Sequence, residues 1–280
     1  MRVMIFGASG LLGKALLREW TGDEVSGLGS RDPDIRNLHQ VSTLVQHNPP
    51  DWIVLAAAYT DVDGCETDPE LAFDVNCRGA VNVALAAREH GSKLLFLSTD
   101  YVFDGSKTAP YEVDEPRAPL NVYGRSKAEA EKEIARLVPE CCIVRTSWLF
   151  GVGGKCFPDT ILKLAATRSE LDVVDDQRGC PTYASDLAST LIQLCRRGAT
   201  GILHATNRGE CSWFDFAKEI ISASGLTTII RPTTTDRFIR PATRPKYSVL
   251  SGRSLEKYGV ALPCWRDAVR RYVALRKAVS

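Results

Sequence analysis

A chain of 280 residues that is 44% hydrophobic and 25% charged, with 21 glycines and 14 prolines, has the composition of an ordinary globular protein, which excludes collagen-like, disordered and coiled-coil classes. Its 35 Lys plus Arg nearly balance 34 Asp plus Glu, so no bulk field favours nucleic acid or an anionic membrane. No apolar run approaches the roughly 20 residues that a membrane helix needs.

The chain enters a strand-like run directly after Met1-Arg2, so no signal peptide is expected. Short apolar runs predict strands over residues 2–6, 24–28, 52–57, 93–98, 142–146, 171–174 and 202–204. Amphipathic stretches alternate with them, the pattern of a parallel sheet covered by helices: a Rossmann-type, doubly wound α/β fold. Between the third and fourth strands, Asp68-Pro69 supplies a helix N-cap with proline at the first helical position, and Gly91 is a stop. Apolar Leu71, Val75, Val81, Val83 and Leu85 imply one buried face of that helix. A second helix should begin near Asn121 and run to about Leu137.

Beyond Trp148 the rhythm loosens. Residues 151–158 are glycine-rich, residues 231–253 are basic and Thr-rich, and helices are expected over 184–196, 213–224 and 264–277. This predicts a cofactor-binding Rossmann domain over 1–150, its sheet completed by about 181–206, and a smaller, interleaved substrate-binding part over 151–280. The 9 cysteines are odd in number and scattered, with no Cys-x-x-Cys pair. They read as reduced thiols of a cytoplasmic protein. His39, His47, His90 and His204 lack ligand spacing, so no metal site is expected.

Two motifs carry chemistry. Gly7-Ala8-Ser9-Gly10-Leu11-Leu12-Gly13 follows the first strand and opens a helical pattern. Gly7 allows a sharp turn, Gly10 lets backbone approach a pyrophosphate, and Gly13 lets the helix pack on the strand. At the tip of the second strand a ribose-binding acid is missing; Ser30 and Arg31 stand there instead. An arginine fork and a hydroxyl suit a 2′-phosphate, which points to NADPH, although Arg31 also fits a solvated loop. The second motif places Tyr123 and Lys127 four apart on one helix face. A neighbouring ammonium lowers a phenol's pKa, which fits the tyrosine for acid–base work, and the same lysine can hold ribose hydroxyls. Thr99, after the fourth strand's apolar run, can donate to the same carbonyl oxygen or serve as a helix cap. Alone, each motif is also met as a tight turn or an exposed helix pair; their combination narrows the choice.

Together these features resemble the extended short-chain dehydrogenase/reductase superfamily. The stretch from Ala56 to Glu66, with Thr60, Val62 and Asp63, is similar to dTDP-4-dehydrorhamnose reductases. So are Ser98-Thr99-Asp100-Tyr101-Val102-Phe103-Asp104-Gly105, Arg145-Thr146-Ser147-Trp148, residues 176–182, Arg244-Pro245 and Ser248. The resemblance implies reduction of a nucleotide-sugar 4-ketone to dTDP-L-rhamnose, with Tyr123 as general acid, Lys127 as its modulator and Thr99 polarising the ketone. It implies further that Ala57, Ala58 and Thr60 line the cofactor, that Asp34-Ile35 lies by the adenine, and that Asp100 and Trp148 contact the substrate. Arg244 could face Trp148 and read the diphosphate. No nucleic-acid or membrane partner is implied, and the chain would act as a monomer or homodimer. Ala15 stands where some relatives carry a carboxylate for a magnesium-bridged dimer, which counts against that metal here. The missing ribose acid leaves NADH use open. Two alternatives remain: a cofactor-binding regulatory subunit of the methionine adenosyltransferase type, and a nucleotide-sugar epimerase or dehydratase. Thr99, Trp148 and the Asp100-Tyr101 pair favour the reductase over both.

Overall fold

The computed structural model describes residues 1–29 and 33–279. Its main sheet has six strands in the order Gly201–His204, Cys142–Thr146, Lys93–Thr99, Trp52–Leu55, Arg2–Phe6, Glu24–Leu28, every neighbouring pair parallel. The chain moves outward from Arg2–Phe6 to Glu24–Leu28, then crosses back to Trp52–Leu55 and continues the other way. That reversal is where open α/β sheets bind ligands. Alternate side chains of each strand feed two cores. Val3, Ile5, Val54, Leu95 and Val144 meet Leu12, Leu16, Leu187 and Leu191. Met4, Phe6, Ile53, Leu55, Phe96 and Ile143 meet Val41, Val45, Val83 and Ile134 on the opposite face. Both faces are therefore covered, and the doubly wound α/β fold is established.

Helix boundaries follow local capping. Asp68 accepts from Leu71 N at 3.0 Å ahead of Pro69, and Asn121 accepts from Gly124 N at 2.8 Å to open Val122–Leu137. The helix after Asp68 departs from expectation in its phase. It runs Pro69–Phe73, then a π-helical segment Asp74–Gly79, then Ala80–Glu89. The wide turn shifts the buried face. Ala72, Asn76, Cys77, Ala80, Val83, Ala84, Ala86 and Ala87 are buried, while Leu71, Val75, Val81 and Leu85 are only half-buried. Small residues let this helix lie close to the sheet and to Val122–Leu137.

The predicted third strand stops two residues short, at Leu55, and the fourth reaches Thr99. Glu170–Val174 does not join the main sheet; it pairs in parallel with Ile229–Thr233, a strand that ends inside the basic, Thr-rich stretch and was not expected from sequence. Pro232 is tolerated in this two-stranded ribbon, where its missing N–H need not serve a second neighbour. The glycine-rich stretch leads into a helix, Phe157–Ala165, with Pro158 in its first turn. Phe150, Leu171, Val173, Phe216, Ile220, Trp265 and Tyr272 form a separate core beneath these elements.

Candidate active site

At the carboxyl ends of the sheet strands lies a cavity of about 430 Å³. Its walls include Gly7, Gly10, Leu11, Leu12 and Gly13 on one side, and Thr99, Asp100, Tyr123, Lys127 and Trp148 on the other, with Ala58 and Thr60 between. The glycine turn is tight for a physical reason. Gly7 has φ +90°, and a Cβ there would sit 2.5 Å from Ala57 N; at Gly13 it would sit 2.2 Å from Gly7 O. Backbone therefore fills the space that side chains would take, leaving a cradle open to an anion at the start of Leu11–Glu19. These residues fit a dinucleotide pyrophosphate.

Thr99 ends its strand in register with Thr146. Its hydroxyl donates to Asp100 Oδ1 at 3.1 Å and accepts from Tyr101 N at 3.2 Å. The other carboxylate oxygen of Asp100 is buried without a hydrogen-bond partner among the described residues. Burial pushes this carboxyl up to about 7, against the pull of the Ser248 and Thr99 hydroxyls. Tyr123 was expected to have a lowered pKa. Its phenol is instead raised, because burial outweighs the nearby Thr99 hydroxyl and Asp100 adds to the rise. Lys127 is itself buried, its Nζ 4.0 Å from the Phe96 ring centroid, and it is pushed down to about 7 against the attraction of Glu131. A neutral phenol is the form that can give up a proton.

The remaining predicted residues that the structure describes do not themselves line the cavity. Ser9 is exposed beside Gly29, and Ala57 backs the cradle without lining the cavity. Asp34 is engaged by Arg36 at 2.6 Å. Ile35 is buried, its Cγ1 2.8 Å from where a Cβ on Gly79 would lie, and its carbonyl accepts from Asn82 at 3.0 Å. Ser30 and Arg31 lie outside the described residues. Arg244 is not among the residues that line the cavity. Its two terminal nitrogens are taken by Asp63, at 3.1 and 2.9 Å, a two-pronged, charge-assisted pair that fixes the plane of the guanidinium fork.

Residues 1–277 match the family model described as RmlD substrate binding domain. The crystal structure of a dTDP-4-dehydrorhamnose reductase from Clostridium acetobutylicum superposes with a TM-score of 0.97 at 38% identity, covering 99% of this chain and 100% of that one. The chain belongs to the dTDP-4-dehydrorhamnose reductase family. A second family structure, from Bacillus anthracis and in complex with NADP, is 39% identical with a TM-score of 0.95, covering 98% of each chain. A spore coat polysaccharide biosynthesis protein of Bacillus subtilis is 41% identical, over 99% of this chain and 98% of its own length.

For a member of this family, four further groups around the cavity were not singled out from sequence. Asn76, in the π-helical segment, donates to Tyr59 O at 3.0 Å and to Ser126 Oγ at 3.1 Å, and Ser126 Oγ donates to Tyr123 O at 2.8 Å. Glu131, fully buried, accepts from Ser98 Oγ at 2.5 Å and from Arg145 at 2.9 and 2.7 Å. It thereby ties the strand that carries Thr99 to the helix that carries Tyr123 and Lys127. Lys155 is exposed on the cavity wall, its ammonium unpaired among the described residues. Trp213 stacks on Trp148. Signals did exist: Glu131 is four residues after Lys127 on the same helix face, and Lys155 falls in the glycine-rich stretch.

Proposed function

We propose that this protein is an NADPH-dependent oxidoreductase that reduces the 4-keto group of dTDP-4-dehydro-L-rhamnose to give dTDP-L-rhamnose. One observation carries the reading: Tyr123, Lys127 and Thr99 line the same cavity as the glycine turn, in a chain of this reductase family. NADPH, when bound, supplies the hydride.

The chain's own residues do the rest. The Tyr123 phenol, neutral because it is buried, donates its proton to the oxygen of the reduced carbonyl. Thr99 Oγ1 orients that oxygen. With Asp100 protonated, the acid can donate to Thr99 and release the threonine hydrogen for the ketone. Lys127 binds ribose hydroxyls and stabilises the phenolate left by proton transfer. Gly7, Ser9, Gly10, Leu11, Leu12 and Gly13 cradle the pyrophosphate, Ala57, Ala58 and Thr60 flank the cofactor, and Asp34 and Ile35 lie on its adenine side. Ser30 and Arg31 read the 2′-phosphate, which sets NADPH above NADH. Asp100 and Trp148 contact the sugar nucleotide, and Lys155 replaces Arg244 as the cation for its diphosphate, since Arg244 is held by Asp63. Residues 1–150, with the sheet completed by 181–206, form the cofactor side, and 151–280 the substrate side. Ala15 is a buried methyl on the first helix, so no magnesium bridge enters the reading. No helix of the described residues is long and apolar enough to cross a membrane; the protein works in the cytoplasm, as a monomer or homodimer.

The test follows the loss of NADPH absorbance with dTDP-4-dehydro-L-rhamnose, with NADH in a parallel arm. Turnover with NADPH, faster than with NADH, is expected. A chain that binds NADPH by calorimetry but oxidises none of it with this substrate would refute the reading in favour of a binding subunit.

A further inference from the structure

Among the described residues outside glycine, only Trp148 has a positive φ, 45°. An aromatic residue in the left-handed region is strained, and such strain persists only where its surroundings hold it. Two neighbours do so here. The Trp213 ring stacks on Trp148 with centroids 3.6 Å apart and planes 8° from parallel. Gly179 packs against the same indole so closely that a Cβ there would lie 2.4 Å from Trp148 Cε2.

Trp213 is itself anchored. It opens the helix Trp213–Ser224, whose start is fixed by a reciprocal Ser212–Asp215 cap. Its indole N–H donates to Gln177 Oε1 at 3.2 Å, and Gln177 in turn donates to Thr235 Oγ1 at 3.0 Å. Phe157 supports it with a centroid separation of 4.6 Å. Both tryptophans line the cavity, whereas Tyr123 and Thr99 stand on the main-sheet side. The Trp148 N–H has no hydrogen-bond acceptor among the described residues, so it is free to donate into the cavity.

We propose that Trp213 is the positioning residue of the sugar subsite, clamping Trp148 against Gly179 so that its indole edge and N–H meet the sugar ring. The proposal rests on the reductase reading and adds to it the part of the molecule that sets the sugar's orientation. The nucleotide end of the ligand and the cofactor do not depend on the stack.

The experiment uses the full chain and three variants: Trp213→Ala, Trp213→Phe and Gly179→Ala. Parallel indoles at this distance couple excitonically, so the parent should show a couplet in its far-ultraviolet circular dichroism. Trp213→Ala should abolish the couplet. It should leave calorimetric affinity for NADPH and for dTDP within about twofold of the parent. Affinity for dTDP-L-rhamnose should fall by about tenfold, the scale of a lost aromatic contact, with kcat falling beside it. Trp213→Phe should restore most of that loss, because a phenyl ring still stacks. Gly179→Ala should reproduce the Trp213→Ala pattern from the other side of the indole. The proposal is overturned if Trp213→Ala binds dTDP-L-rhamnose within twofold of the parent, or if NADPH, dTDP and dTDP-L-rhamnose all weaken together. Failure of the reductase reading would show in the parent alone, which would then bind no dTDP-L-rhamnose.

Discussion

Asp100→Asn should stabilise the protein at alkaline pH and do little in acid. The side chain is 2% exposed, and one carboxylate oxygen is without a partner among the described residues. Burial raises the carboxyl from 3.8 to about 7. The folded chain therefore holds a proton that the unfolded chain releases, so stability is greatest below the unfolded pKa and falls as pH rises through the folded one. Across that interval the loss is about 4 kcal/mol, at about 1.4 kcal/mol for each tenfold change in proton affinity. An amide of the same shape never pays this cost. The stability difference between variant and parent should therefore grow by about 3 kcal/mol between about pH 5 and pH 8. Lys127 also titrates with a shifted pKa, down to about 7, but it does so in both proteins and drops out of the difference. Urea unfolding at the two pH values, read as midpoint and slope, measures the quantity. A difference that stays flat between them would show that Asp100 is not desolvated as the structure has it.

Tyr123→Phe should lower kcat by roughly 10²–10⁴-fold, the usual contribution of a general acid, with NADPH affinity by calorimetry nearly unchanged; near-normal turnover would move the proton to another donor. Lys127→Met should reduce both turnover and NADPH affinity, because the lysine has two roles, and unaltered NADPH binding would remove it from the ribose. Asp63→Ala and Arg244→Ala should each lower Tm, and a double-mutant cycle should give a coupling of about 1–2 kcal/mol, since the two are paired at 2.9 Å. If Arg244→Ala instead raises KM for the sugar nucleotide with Tm unchanged, the arginine serves the ligand and the ion pair is incidental.

The features legible in the sequence are those whose cause lies within a turn or a strand of the residue concerned. Gly7 and Gly13 mark a close turn because Gly7 takes a φ of +90° and a Cβ on Gly13 would meet the Gly7 carbonyl oxygen six residues before it. Asp68-Pro69 and Asn121 open helices because their side chains reach backbone N–H groups three residues on. Tyr123 and Lys127 share a face because 3.6 residues make a turn, and the alternation of apolar runs sets the doubly wound sheet. What only the tertiary structure decides depends on partners far along the chain. Arg244 is claimed by Asp63, 181 residues away, which composition and spacing do not foretell. The π-helical segment rotates a helix so that alanines and Val83 face the core, while Leu71, Val75, Val81 and Leu85 are only half-buried. Tyr123 has a raised pKa because burial, a property of the whole fold, exceeds any help from its local neighbours. Trp148 holds a backbone conformation that its own sequence disfavours, since Trp213 and Gly179 arrive from elsewhere to hold it there.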